Sequence, residues 1–320
     1  MIILKALVTG GAGFIGSHLV DYLIKSGKNV RILDNLVSGS MGNLSQWEND
    51  SRLEVCVMDL LDKSSVVDAV NGCDEVYHLA ANPEVNAKNA SPEDHFRQNI
   101  EATYNLLEAM RMSGHQKFIA FTSSSTVYGE AEQIPTKENY GPLVPISFYG
   151  ASKLSCEALL SSYAYMYGFR AVIYRLANVV GPRSNHGVTY DFVHKLKNNP
   201  GELEILGDGS QTKSYLYVDD CVTGIIKGLE KGNVVDIFNI GTNSMTNVIE
   251  IAETVKEAMG LSESKILLTG GVDGGRGWRG DVKIMQLDLS ELISLGWEPK
   301  YGSNEAVRLT AKYVLNDLSP

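Results

Sequence analysis

Apolar positions along the chain follow two periods that alternate. Short apolar runs predict strands over 2–8, 29–33, 53–58, 75–79, 117–122, 170–176 and 236–240. Between them, apolar residues recur at helical spacing, as Phe14, Ile15, Leu19, Leu23 and Ile24 do in the first such stretch. These stretches predict helices over 14–24, 63–70, 91–112, 149–167, 219–230 and 247–259. Pro92 suits the first turn of the fourth-from-last of them, and Gly168 suits the position just past the 149–167 helix. Thr246 or Asn247 stands where the last one needs a cap. Regular alternation of strand and helix predicts βαβ units and an α/β fold, a doubly wound parallel sheet covered on both faces.

After Asn178 the alternation breaks up around Gly181-Pro182, Pro200-Gly201 and Gly207-Asp208-Gly209. The expected division is a nucleotide-binding unit over 1–178, to which 215–245 return, and a smaller C-terminal lobe over 179–320. Residues 270–280 form a glycine-rich loop whose Arg276, Trp278 and Arg279 make it a candidate ligand loop.

The first strand-to-helix turn reads Thr9 to Gly16, TGGAGFIG. Gly11, Gly13 and Gly16 satisfy G-x-G-x-x-G, and Gly10, Gly13 and Gly16 satisfy G-x-x-G-x-x-G. Glycines there permit a tight turn, let a pyrophosphate approach the backbone, and bring helix close to sheet. The helix N-terminus then offers free N–H groups to the phosphates. The second strand ends at Asp34, about 20 residues on, where an acid binds the adenosine ribose hydroxyls and repels a 2′-phosphate. The pattern predicts a Rossmann-type domain that takes NAD in preference to NADP. Ligands of such sheets sit beyond the carboxyl ends of the strands, so Asp34, Asp59, Ala80, Ala81, Ser123–Ser125 and Asn178 are expected around one crevice.

Composition narrows the classes. The 320 residues are 44% hydrophobic and 21% charged with a net charge of −10, which argues against a nucleic-acid partner. Cys56, Cys73, Cys156 and Cys221 lack metal-ligand or redox spacing, so reduced thiols and no metal are expected. No apolar run reaches the ~18 residues of a membrane span, and no signal peptide is evident, so a cytoplasmic protein is expected.

Chemistry concentrates in two stretches. Tyr149 and Lys153, four apart in a helix, share one face. A neighbouring ammonium and a cationic nicotinamide favour phenolate, which predicts a lowered Tyr149 pKa and a general base near neutral pH. Thr122 to Gly129, TSSSTVYG, follows a strand and can place a hydroxyl beside Tyr149. G-x-S-x-G is absent, and no His or Asp stands as in a serine hydrolase.

TGGAGFIGSHL, Asp34-Asn35-Leu36, HLAA at 78–81, SSSTVYG, YGASK, NVVGPR and YVDD at 217–220 occur here in that order. Together they resemble the extended short-chain dehydrogenase/reductases, and within them the UDP-glucose (galactose) 4-epimerases, over nearly the whole chain. The resemblance implies that Ser124 steadies the sugar 4-OH, Tyr149 is the base, and Lys153 binds the nicotinamide ribose and lowers the Tyr pKa. It implies NAD contacts at Gly10, Gly13, Phe14, Ile15, Asp34, Asn35, Asp59, Leu60, Ala80, Ala81 and Asn99, which also supports the active site. Asn178 is implied to contact the nucleotide sugar. Where the family carries an arginine this chain has Lys213, which keeps charge but not bidentate geometry. Where the family reads R-P-G-D, Trp278-Arg279-Gly280-Asp281 stand, so the diphosphate ligand is Arg276 or Arg279. Met285 lies near the position gating bulk at sugar C2. The activity implied is NAD-dependent reversible 4-epimerisation of a nucleotide sugar. Alternatives are a dehydratase or decarboxylase of the same fold, a 4-epimerase of UDP-N-acetylglucosamine or UDP-glucuronate, or a non-catalytic NAD-binding regulator. Ser125 and Thr126, where dehydratases carry Asp and Glu, speak for epimerisation. A homodimer through the two long helices is implied, with Leu106, Met110, Leu159 and Leu160 as candidate contacts.

Overall fold

A computed structural model of the chain describes residues 4–86 and 88–318. The strand expected over 2–8 is Lys5–Thr9 (β1), and its first two expected residues lie outside the described residues. The chain continues through helix α1 (Phe14–Lys25), β2 (Asn29–Asp34), β3 (Leu53–Val57), α2 (Lys63–Val70) and β4 (Glu75–His78). A long composite helix, α3, covers 92–113 and leads to β5 (Phe118–Ser124). Then come α4 (Phe148–Tyr167) and β6 (Arg170–Leu176). The last strand, β7 (Val235–Ile240), enters from the second half of the chain.

These seven strands form one parallel sheet in the order β7-β6-β5-β4-β1-β2-β3. Strand order reverses at β1, which lies between β2 and β4, and the reversal opens a crevice at the carboxyl ends. One face is covered by α1 and by α6 (Val218–Gly228), which follows α5 (Val188–Asn198) in the chain, around Leu19, Ile32, Val172 and Ile225. The other is covered by α2, α3 and α4, around Leu7, Leu106, Phe121 and Leu160. Sheet residues such as Ala6, Leu7, Val8 and Val172 are fully buried, as expected of strands covered on both faces.

The helix expected over 91–112 is not regular. It has an α-helical turn Pro92–His95, a π-helical stretch Phe96–Glu101 and an α-helix Ala102–Ser113. Ser91 opens it with a capping box to Asp94. Apolar spacing does not report the wider turn; within it Asn99 is buried and turns inward to partners on two other segments, Asn82 and Ser152.

The second half holds α5 (Val188–Asn198), α7 (Val248–Ala258, capped by Asn247 with Glu250) and α8 (Ser303–Asp317). They pack around Phe192, Leu203, Ile251 and Val307. Three small sheets join them. Asn178–Val180 pairs with Tyr215–Tyr217, and Glu202–Ile205 pairs with Lys265–Leu268. Thr212–Lys213 lies between Thr246–Asn247 and Ile284–Met285. Among the described residues no helix is long and apolar enough to cross a membrane.

Candidate active site

The glycine turn is built for close approach. Gly10 takes a left-handed φ of 68°, and a Cβ on it would lie 2.8 Å from the Ala80 backbone nitrogen. A Cβ on Gly16 would fall 2.0 Å from the Gly10 carbonyl oxygen, so only glycine lets α1 start this near the turn. Gly13, preceding the first turn, gives no side-chain cap, which leaves the N–H groups of Phe14 and Ile15 at an uncapped helix start. Asp34 ends β2 and is buried; its carboxylate accepts the Ala12 N–H at 3.0 Å and the Leu36 N–H at 2.8 Å. The Asn35 amide donates to Asp59 at 2.9 Å, and Leu60 follows at the end of the next strand. The Ala80 N–H donates to Thr9 Oγ1 at 3.3 Å, which brings Ala80 and Ala81 against the glycine turn. A dinucleotide fits this cradle: bare backbone at Gly10 and Gly16 keeps the turn tight against Ala80 and the start of α1, the helix start is uncapped, and an acid stands at the second strand end.

At β5 the chain delivers three consecutive groups. The Thr122 carbonyl accepts a 2.8 Å hydrogen bond from Lys153 Nζ. Ser123 turns into the interior. Ser124 caps the following turn, and its Oγ accepts from the Thr126 N–H at 3.2 Å and the Thr126 hydroxyl at 2.9 Å. On α4, Tyr149 and Lys153 meet that strand end: Lys153 Nζ lies 5.8 Å from the Tyr149 ring centroid and 4.7 Å from that of Phe121. Burial pushes the Lys153 ammonium down to about 8. It pushes the Tyr149 phenol up to about 12, with the Ser124 hydrogen bond pulling the other way. The lowered Tyr149 pKa expected from the sequence is not what the protein groups give by themselves: desolvation raises it, and the Ser124 hydrogen bond offsets that only in part.

Asn99 sits behind this pair. It accepts from the Asn82 N–H at 2.7 Å and donates to Ser152 Oγ at 2.9 Å, tying the loop after β4 to the first turns of α4. Its carbonyl, within the π-helical stretch, accepts from Thr103 Oγ1 at 2.7 Å.

The lobe residues are arranged differently. Asn178 opens the strand opposite Tyr215. Lys213 is paired with Asp281 at 2.6 Å and lies 5.8 Å from the Trp278 ring centroid. Arg276 donates to the Asp281 carbonyl at 3.1 Å and bridges to Glu130 at 2.7 Å, with its side chain 17% exposed. Arg279 is 85% exposed and pairs with Asp273, so it stands away from this cluster. Of the two arginines named from the sequence, Arg276 stands beside Asp281 in this cluster and Arg279 stands outside it. Trp278 Nε1 and Gln211 Oε1 are buried without a hydrogen-bond partner among the described residues.

Residues 6–241 match the NAD dependent epimerase/dehydratase family. The chain belongs to this family. It is 32% identical over 319 residues to a UDP-glucose 4-epimerase of Mycolicibacterium smegmatis, covering 98% of this chain and 99% of that one. It is also 33% identical over 314 residues to UDP-glucuronic acid decarboxylase 3 of Arabidopsis thaliana, covering 96% and 87%. A crystal structure of a UDP-galactose 4-epimerase superposes with a TM-score of 0.88 at 42% identity, covering 99% of this chain and all of that one. The relatives thus span isomerases and lyases on one scaffold.

Within this epimerase/dehydratase member, some residues have supporting roles that the sequence motifs leave unassigned. His78 is buried between Thr9 Oγ1 at 2.7 Å and Thr103 Oγ1 at 2.9 Å, and burial holds its imidazole down at about 3. It joins the strand before the glycine turn to α3. The Thr122 carbonyl carries no side-chain signal at all. Three of the four leucines and methionines expected at a dimer seam are corrected: Leu106, Met110 and Leu160 are buried against the protein's own sheet. The outer face of the two long helices instead presents Phe96, Ile100, Glu101, Tyr104 and Leu159 around a hollow of about 380 Å³.

Proposed function

We propose that this enzyme inverts C4 of a nucleotide sugar reversibly, interconverting UDP-glucose and UDP-galactose. The observation that carries this reading is the make-up of the reacting end. Ser124, Tyr149 and Lys153 meet there, and the Thr126 hydroxyl is spent on Ser124. Elimination of water needs a further acid and base at the sugar, and the hydroxyls of Ser125 and Thr126 do not readily serve.

Gly10, Gly13, Phe14, Ile15, Asp34, Asn35, Asp59, Leu60, Ala80 and Ala81 would hold NAD, with Lys153 and Asn99 at its nicotinamide end. Bound NAD supplies a hydride acceptor, and its cationic ring adds the positive charge that favours Tyr149 phenolate. Tyr149 takes the proton of the sugar 4-OH while Ser124 holds that oxygen. Lys153, anchored on the Thr122 carbonyl, keeps its ammonium beneath the phenol and stabilises the developing negative charge. Tyr149 returns the proton to the same oxygen once C4 has been rebuilt with the opposite configuration. Meanwhile Asn178, Lys213 and Arg276 tether the nucleotide diphosphate, so the 4-keto sugar turns over without leaving. The unpartnered Trp278 Nε1 and Gln211 Oε1 support a polar ligand in that part of the lobe, since such atoms are costly to leave unpaired.

Incubation of the pure protein with UDP-galactose should yield UDP-glucose with no accumulation of NADH. A 4-keto-6-deoxy sugar or a pentose as product would overturn the assignment. The assembly we read as a homodimer across the Phe96, Ile100, Tyr104 and Leu159 face. Light scattering that gives a monomer mass at micromolar concentration would reject it.

A further inference from the structure

Behind the reacting groups lies a buried polar row that the proton transfer does not use. Ser123, Arg175 and Asn239 are register neighbours across β5, β6 and β7. Glu157, one turn beyond Lys153 on α4, reaches this row from above. Its carboxylate accepts from the Ser123 hydroxyl at 2.5 Å and from Arg175 Nη2 at 2.7 Å. Arg175 Nη1 donates to Tyr128 Oη at 3.0 Å, and Tyr128 in turn donates to Asn239 Oδ1 at 2.7 Å. The side chains of Arg175 and Glu157 are 3% and 5% exposed.

An ion pair this deep is an expensive way to hold a core together, and apolar residues of similar volume often do as well. Its position shows what else it does. Ser123 is the residue between Thr122, whose carbonyl anchors Lys153, and Ser124, which faces Tyr149. Glu157 is bonded to that residue from the same helix that carries Tyr149 and Lys153. Strand end and helix are thereby clamped at the point where their reacting groups meet.

We propose that Glu157 is a positioning residue for the proton transfer: acting through Ser123, it fixes the end of β5 so that the Thr122 carbonyl and Ser124 meet Lys153 and Tyr149 in one geometry. This rests on the reading of Tyr149 and Lys153 as the proton-transfer pair. A second effect follows from charge. The charged and titratable groups facing Lys153 are Tyr149, Cys156 and Glu157 on its own helix and His78 on β4, with Arg175 on β6 behind Glu157. Glu157 favours the Lys153 ammonium. Its removal takes away that anion and also leaves Arg175 unpaired, and both changes drive Lys153 to lose its proton at lower pH.

The test uses full-length protein with NAD, assayed in the UDP-galactose to UDP-glucose direction. Ser123→Ala leaves the Glu157–Arg175 pair in place and cuts only its link to β5. It should lower kcat about 10- to 100-fold, the scale of misplaced reacting groups, with KM within about two-fold and thermal stability near wild type. Glu157→Gln should move the alkaline limb of the kcat profile to lower pH. Wild-type kcat in Ser123→Ala, or a loss of melting temperature without loss of kcat, would overturn the proposal, as would an unmoved pH limb in Glu157→Gln. If Glu157→Gln does not fold, Ser123→Ala decides alone. Tyr149→Phe separates the two readings. If it is inactive while Ser123→Ala is normal, only the role of Glu157 fails; if it is fully active, the proton-transfer pair itself fails.

Discussion

The groups assigned to proton transfer and the groups assigned to the diphosphate are both charged, yet the fold treats them in opposite ways. Lys153 is enclosed, anchored on the Thr122 carbonyl, and faces aromatic rings. Burial acts directly on its proton affinity and on that of Tyr149. Lys213 and Arg276 sit on a short strand and a glycine-rich loop, and each already has a carboxylate partner, Asp281 and Glu130. The first pair is tuned by desolvation and held by strand and helix. The second is held by counter-ions that an incoming diphosphate can replace or share. A rigid frame suits a proton that must travel a fixed short path, and exchangeable partners suit a ligand that must arrive and leave.

The comparison breaks first at Tyr149. Tyr149→Phe keeps the ring and removes the proton carrier, so kcat should fall about 10²- to 10⁴-fold with the fold and UDP-sugar binding retained. A variant with wild-type turnover would dissolve the distinction between the two regions. The lobe should answer in KM instead. Arg276→Ala should raise KM for the UDP-sugar about 10-fold or more, the scale of a lost charge-assisted bond, with little change in kcat. Arg279→Ala should stay within about two-fold, because that side chain is 85% exposed and paired only with Asp273. Equal effects from both arginines would show that the lobe is not anchored as described.

The smallest effect concerns the buried frame. His78 holds its imidazole neutral down to about 3, whereas in the unfolded chain it protonates below about 6.5. Above pH 6.5 both states are neutral and the residue adds nothing to the pH dependence. As pH falls below that, the unfolded state binds the extra proton and stability drops, by at most about 1.4 kcal/mol per pH unit. His78→Gln should flatten the denaturation midpoint between about pH 6 and pH 4 relative to wild type. Parallel curves would mean that His78 is not kept neutral by the fold.

Much of the catalytic half could be read from the chain because its signals are local. Strand-helix alternation located the seven-stranded sheet, and the Tyr149–Lys153 spacing follows from helix geometry alone. The glycines of the turn announce a backbone approach that the 2.8 Å and 2.0 Å gaps at Gly10 and Gly16 make concrete. What stayed hidden depends on contacts between distant segments. The rise of the Tyr149 pKa comes from enclosure, which no spacing encodes. Leu106, Met110 and Leu160 carry the same apolar character whether they face a partner or their own sheet. Arg276 and Arg279 could be told apart only once the loop had a shape, with one turned toward Asp281 and the other toward solvent.

The π-helical stretch Phe96–Glu101 has a consequence for how this sequence is compared with others. A wide turn stores one residue more than an α-helix needs to cover the same rise, and an extra residue offsets the two flanking helical stretches by about 100° of rotation. Residues 92–95 and 102–113 are therefore out of phase, although no loop separates them. An alignment that runs without a gap into a relative whose helix is regular here will be right on one side of Asn99 and displaced by one on the other. His95 would then be matched with its neighbour, while Leu106 and Met110 still agree. The gap belongs inside the helix, where scoring habits resist placing one.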